Sequence, residues 1–106
     1  MQRIRFETAK LLKEKTSDFK DYEGDFYEEY PSPYQEEVIE WLWEKHKICI
    51  ETSLKQYGLI SLCYSIKTSI KYLIEGVFVK EELKDNFETR NDSIEQGIIR
   101  ALELIK

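Results

Sequence analysis

The stretch that decides the fold covers residues 32–46 and reads SPYQEEVIEWLWEKH. Ser32 is a good N-cap, Pro33 suits the first helical position, and Gln35 completes an S-x-x-Q capping box. A basic end at residues 45–47 is favourable at a helix C-terminus. This pattern predicts a helix over about residues 33–46.

The predicted helix is amphipathic. At about 100° per residue, Val38, Ile39 and Leu42 share one face. The opposite face is acidic and carries Glu36, Glu37, Glu40 and Glu44. Trp41 and Trp43 fall on the two flanks between these faces, so we expect at least one of the two indoles to stay partly exposed.

Strand patterns follow this helix. Residues 48–52 and 59–66 alternate apolar and polar side chains, and residues 56–58 predict the loop between them. Residues 70–79 fit either a strand or a helix, and their β-branched and aromatic content favours a strand. In the hairpin of residues 48–52 and 59–66, Cys49 and Cys63 could lie across from each other, either as a redox pair or as two small apolar residues.

Two further helices are predicted near the ends of the chain. Residues 8–15 form a short amphipathic helix, with Ile4, Thr8, Leu11 and Leu12 near one face. The last helix begins at residues 91–93, where Asp92-x-x-Glu95 and Ser93-x-x-Gln96 are competing capping boxes. Its apolar face comprises Ile94, Ile98, Ala101, Leu102 and Ile105.

These elements predict an α+β fold, in which a small antiparallel sheet of about three strands packs against two or three helices. A chain of 106 residues accommodates one hydrophobic core, so we expect a single α+β domain over residues 1–106. No apolar run approaches the roughly 20 residues of a membrane-spanning helix, and no apolar signal segment follows Met1, so a cytoplasmic location is expected.

Charge is distributed unevenly. Residues 17–44 contain ten acidic side chains and one lysine, a charge of −9, so the rest of the chain carries +4 of the total of −5. Aromatic residues are interleaved with the acids, and these are Phe19, Tyr22, Phe26, Tyr27, Tyr30, Tyr34, Trp41 and Trp43. Tyrosine and tryptophan are enriched at binding hot spots. The alternative interpretation is that these aromatics form core and the acids are simply solvated.

The acidic-aromatic pattern predicts a protein-binding surface. Its candidate residues are Tyr34, Glu37, Glu40, Trp41, Trp43 and Glu44. The expected partner is an unknown protein, preferably a basic one, and an exposed Trp41 or Trp43 would also suit a homodimer. A second hypothesis is that the helix mimics nucleic-acid phosphates and inhibits a host nuclease or regulator. Nucleic acid itself is disfavoured as a partner, although the first segment is basic enough to keep DNA binding as a further alternative.

Catalytic and metal-binding patterns are weak. His46 could act as a general base oriented by Glu44 or Glu51, but it fits a helix C-terminus better. Asp21-x-Glu23-x-Asp25 lacks the glycine and the final glutamate of a calcium loop. We therefore predict a protein that is not an enzyme and has no cofactor, no metal site and no membrane partner.

Three blocks of the chain resemble small uncharacterised proteins of bacterial prophages and mobile elements. The blocks are residues 7–15 (ETAKLLKEK), 30–48 (YPSPYQEEVIEWLWEKHKI) and 95–105 (EQGIIRALELI). The chain departs from that pattern at Asp92-Ser93, and residues 53–91 match none of it. The resemblance implies an accessory protein in such a genetic setting, and it implies no particular activity.

Overall fold

The computed structural model describes residues 2–19, 22–57, 63–83 and 89–105. Three helices and two small antiparallel sheets form from them, which confirms the α+β class. In chain order the elements are α1 (Phe6–Lys15), β1 (Phe26–Tyr27), β2 (Tyr30–Pro31), α2 (Gln35–His46), β3 (Cys49–Tyr57), β4 (Cys63–Ile74), β5 (Val77–Glu82) and α3 (Arg90–Leu104).

The larger sheet has the strand order β3-β4-β5. β3 continues to Tyr57, which pairs with Cys63, so the predicted loop at residues 56–58 is wrong at its first two positions. Residues 58–62, which include the start of the predicted strand at 59–66, lie outside the described residues.

The segment at residues 70–79 is extended, as predicted, but it forms parts of two strands. Ile74 pairs with Val77 across a two-residue turn, in which Glu75 has φ 51° and Gly76 has φ 83°. Positive φ at both central positions is typical of a type I′ turn, whose twist matches that of a hairpin. The apolar run continues through this turn, which is why the sequence resembles one strand.

The two cysteines are not cross-strand partners. Cys49 pairs with Lys71, whereas Cys63 pairs with Tyr57 at the other end of the same ladder. The prediction that they face each other is therefore wrong, because β3 extends past the expected loop and moves the register.

The hydrophobic core lies between the helices and one face of the larger sheet. Val38 and Leu42 of α2 are fully buried there, with Ile39 partly buried, so the predicted apolar face of α2 is confirmed. Ile70 of β4 is fully buried there as well. The apolar face predicted for α3 is also confirmed, since all its members are buried, namely Ile94, Ile98, Ala101, Leu102 and Ile105.

The predicted helix caps differ from the observed ones. Tyr34 is the N-cap of α2 and makes no side-chain cap bond, while the Ser32 hydroxyl donates to the Asp25 carbonyl at 2.8 Å. α3 is capped by Thr89, whose hydroxyl accepts from the Asp92 amide at 3.1 Å. The predicted capping boxes are therefore wrong at both helices.

Glu95 joins the N-termini of α1 and α2 to α3. The side chain is fully buried, and its Oε1 accepts from the Arg5 amide at 2.6 Å and from the Thr8 hydroxyl at 2.7 Å. Its Oε2 accepts from Gln35 Nε2 at 2.8 Å. Arg5 is the N-cap of α1, and its own side chain makes no capping hydrogen bond. The carboxylate of Glu95, a residue of α3, accepts instead from the backbone amide of this N-cap residue.

We predict that Glu95→Ala lowers the free energy of unfolding by about 3 kcal/mol, because it removes the acceptor that the Arg5 amide, the Thr8 hydroxyl and one N–H of Gln35 share. Gln96→Ala, at the exposed neighbouring position of α3, is the control and should cost less than about 0.5 kcal/mol. Urea denaturation measures both. Equal costs would contradict the capping role of Glu95.

An ion pair connects α3 to the sheet. Arg100 Nε donates to Glu81 Oε1 at 2.8 Å, and its Nη2 donates to Oε2 at 3.2 Å. Hydrogen bonding from Arg100 holds the pKa of the Glu81 carboxyl below its ordinary value of 4.5. A carboxyl with a lowered folded-state pKa adds stability above its ordinary pKa, and this contribution is lost as the pH falls through the folded value.

We therefore predict that Glu81→Gln destabilises the protein at pH 7, by less than about 1 kcal/mol for a pair this close to the surface. As the pH falls through the folded pKa of Glu81 the difference from wild type should shrink, since the wild-type carboxyl then loses its charge. Unfolding curves recorded from pH 7 down into the acidic range test this, with Glu36→Gln at an exposed site as the control. A difference that grows on acidification would contradict the assignment.

Candidate protein-binding surface

The outward face of α2 carries the acidic part of the predicted surface. Glu37, Glu40 and Glu44 are exposed, and the opposite face of the helix is anchored in the core by Val38 and Leu42. The helix therefore presents three carboxylates on a fixed base. Because these positions are spaced i, i+3 and i+7, the row is about 10 Å long.

Trp41 is a buried anchor at one edge of this face. The residue is only 8% exposed, and its Nε1 donates to Asp18 Oδ2 at 2.8 Å. The indole also packs edge-to-face against Phe19 and His46, with ring centroids 5.4 Å and 4.9 Å away. Its contacts are those of a core residue, which is the alternative interpretation of its place in the sequence.

Trp43 lies on the other flank and is the accessible indole. It is 46% exposed, which confirms that at least one of the two tryptophans stays partly exposed. Lys47 ends the helix in a left-handed conformation with φ 54°, and its Nζ lies 5.0 Å from the centroid of the Trp43 ring. The exposed indole is thus held beside a cation at the C-terminus of α2.

Tyr34 contacts Arg3, which is not among the six candidate residues of the predicted surface. The guanidinium lies 4.4 Å from the centroid of the Tyr34 ring and donates to its hydroxyl at 3.2 Å. The same group donates to the Ser32 carbonyl at 2.9 Å and pairs with Asp25 at 2.8 Å. Tyr34 therefore belongs to a network that fixes the start of α2.

Tyr22 extends this network toward the acidic face. Its burial is the main cause of a raised pKa, and the negative charge of Glu37 raises that pKa further. Arg3 acts in the opposite direction through a hydrogen bond and its positive charge. Glu37 therefore interacts with the ordered network at one end of the carboxylate row.

A shallow groove of about 480 Å³ runs along this face. Phe19 and the edge of Trp41 provide its aromatic lining. Its charged lining comprises Asp18, Glu37, Glu40, Glu44 and Lys45. An aromatic groove with an acidic border suits a basic side chain with an aliphatic stem, such as lysine or arginine.

The basic first segment is largely neutralised by its neighbours. Arg5 pairs with Asp92, Arg3 with Asp25, and Lys13 lies 3.5 Å from Glu29. The ring of Tyr30 is also 5.1 Å from Lys13 Nζ. These contacts weigh against a continuous phosphate-binding surface on α1.

In the part of the chain that the structure describes, no group of three His, Cys, Asp or Glu side chains is placed to hold a metal ion. Over the same residues, no helix combines the length and apolar character needed to cross a membrane. Comparison of the chain with protein-family models, with curated proteins and with solved structures finds no match.

We predict that the two tryptophans contribute unequally to stability. Trp41→Ala should lower the free energy of unfolding by about 3 kcal/mol, because it opens a cavity and leaves Asp18 without its donor. Trp43→Ala should cost less than about 1 kcal/mol. Urea denaturation followed by far-ultraviolet circular dichroism measures both, and similar costs would contradict the placement of Trp41 in the core.

Proposed function

We propose that the protein is a non-catalytic, cytoplasmic accessory protein of a prophage or mobile element, and that it binds a basic segment of another protein through the exposed face of α2. The observation that carries this proposal is the exposure of Glu37, Glu40 and Glu44 on one side of α2, beside the half-exposed indole of Trp43. The genetic setting rests on the resemblance of the three sequence blocks.

The surface divides into contact residues and supporting residues. Glu37, Glu40, Glu44 and Trp43 are accessible and form the proposed contact. Of the other two candidates, Trp41 anchors the helix from the core side. Tyr34 is held by Arg3 at the start of the helix.

Charge and aromatic area would contribute in different ways. Exposed carboxylates mainly speed encounter with a basic partner and exclude acidic ones. Tryptophan is among the side chains that contribute most to binding free energy when an interface buries them fully. We therefore expect the glutamates to control the rate of association and Trp43 to control the rate of dissociation.

The test is quantitative affinity capture from a bacterial lysate at low salt. We predict that proteins captured by the wild type are lost with Glu37→Gln/Glu40→Gln/Glu44→Gln, and are captured more weakly by Trp43→Ala. A matched control, Glu14→Gln/Glu23→Gln/Glu28→Gln, removes the same charge from exposed positions elsewhere. Recovery of the same proteins by all variants would contradict the proposed surface.

A competition step identifies the class of partner. Adding duplex DNA to the captured complex displaces a nucleic-acid-binding protein if the acidic face occupies its phosphate-binding cleft. Displacement at low salt would assign the mimicry mechanism. Retention of the partner would assign ordinary protein binding at the same face.

A further inference from the structure

The accessible indole of the proposed contact surface is already in contact with a cation. Lys47 Nζ lies 5.0 Å from the centroid of the Trp43 ring, within the roughly 6 Å at which an aromatic face attracts a cation. Among the described residues the Lys47 ammonium forms no ion pair, so the indole is its partner there. We infer that the Trp43 face is a cation site, which Lys47 occupies in the free chain and which an arginine of the partner takes on binding. This inference rests on the proposed function, because it concerns the same surface.

Lys47 stands where a helix end usually has glycine. Its amide donates to the Trp43 carbonyl at 3.1 Å, and the Ile48 amide donates to the Leu42 carbonyl at 3.2 Å. These two hydrogen bonds form a Schellman motif, in which the residue at positive φ is most often glycine. Lys47 has φ 54°, a conformation that a β-carbon makes less stable. The helix dipole does not require a lysine here, because the last turn of α2 already carries basic residues. The contact with Trp43 is therefore what distinguishes this lysine from a glycine.

The surroundings of the indole favour an incoming cation. Glu40 precedes Trp43 by three residues, so the two exposed side chains are neighbours on the helix surface. A cation on the ring therefore lies near a carboxylate, which adds Coulombic attraction. The guanidinium of arginine is planar, stacks on aromatic faces and is more weakly hydrated than an ammonium. An arginine in a basic segment of the partner is thus suited to replace Lys47.

The strength of the internal contact sets the size of the effect. An exposed cation–π contact favours the occupied state by roughly two- to fivefold. The indole is then free in about a sixth to a third of the molecules, and the apparent affinity for a competing cation falls by the same fraction. Removal of the Lys47 ammonium should therefore tighten binding of an arginine about three- to sixfold.

Fluorescence anisotropy of a labelled hexa-arginine peptide at low salt measures this change. Lys47→Gln keeps a β-carbon at the strained position and removes the cation. Its Kd should be at least about threefold below that of Lys45→Gln. Lys45→Gln is the matched control, because Lys45 is an exposed lysine in the last turn of the same helix and its loss removes the same charge. Lys47→Arg, which restores a cation beside the ring, should bind the peptide no more tightly than the wild type.

The same comparison in a Trp43→Leu background separates the indole from simple electrostatics. Without the ring, Lys47→Gln and Lys45→Gln should change the Kd equally to within about twofold, because each then removes only one positive charge. Circular dichroism verifies that each variant is folded.

Equal Kd values for Lys47→Gln and Lys45→Gln would overturn the inference, as would a difference between them that persists in the Trp43→Leu background. Both results leave the proposed function in place if Glu37→Gln/Glu40→Gln/Glu44→Gln abolishes peptide binding. A chain that does not bind the peptide, or binds it equally well with the three glutamates replaced, contradicts the proposed function and the inference together.

Discussion

The arrangement of the three helices depends on one buried carboxylate. Glu95 accepts three hydrogen bonds, from the Arg5 amide, the Thr8 hydroxyl and the Gln35 amide group. These donors lie at the N-termini of α1 and α2, where the helix dipoles favour a negative charge. Gln35 also donates to the Asn91 carbonyl at 3.1 Å, while its own Oε1 is buried and has no partner among the described residues. A buried acceptor without a donor costs free energy. The orientation of Gln35 that lets its Nε2 bind Glu95 therefore lowers the stability gained from that bond.

The Glu95 junction explains why the acidic face of α2 is fixed in space. Gln35, the first residue of α2, is bound to Glu95, and the apolar stripe of the helix enters the core through Val38 and Leu42. At the other end Lys47 adopts a left-handed conformation and its amide bonds to the Trp43 carbonyl. A helix held at its first residue and along one face has little freedom to turn, so its remaining side faces water.

Periodicity in the sequence predicted the faces of the helices, but it did not predict their ends. The apolar stripes of α2 and α3 follow from spacing alone. The caps were wrong because Gln35 and Glu95, which fit local capping boxes, bond to each other across 60 residues of sequence. In the sheet, Glu75-Gly76 was overlooked as a turn because the apolar residues continue on both sides. Gly76 within a strand pattern was the available signal.

The same limit applies to the candidate surface, because periodicity predicts the faces of a helix and not the distant residues that cover them. Spacing on a helix places Trp41 and Trp43 on opposite flanks and cannot say which flank is covered. The answer comes from Asp18 and Phe19, which lie more than twenty residues earlier and pack against Trp41.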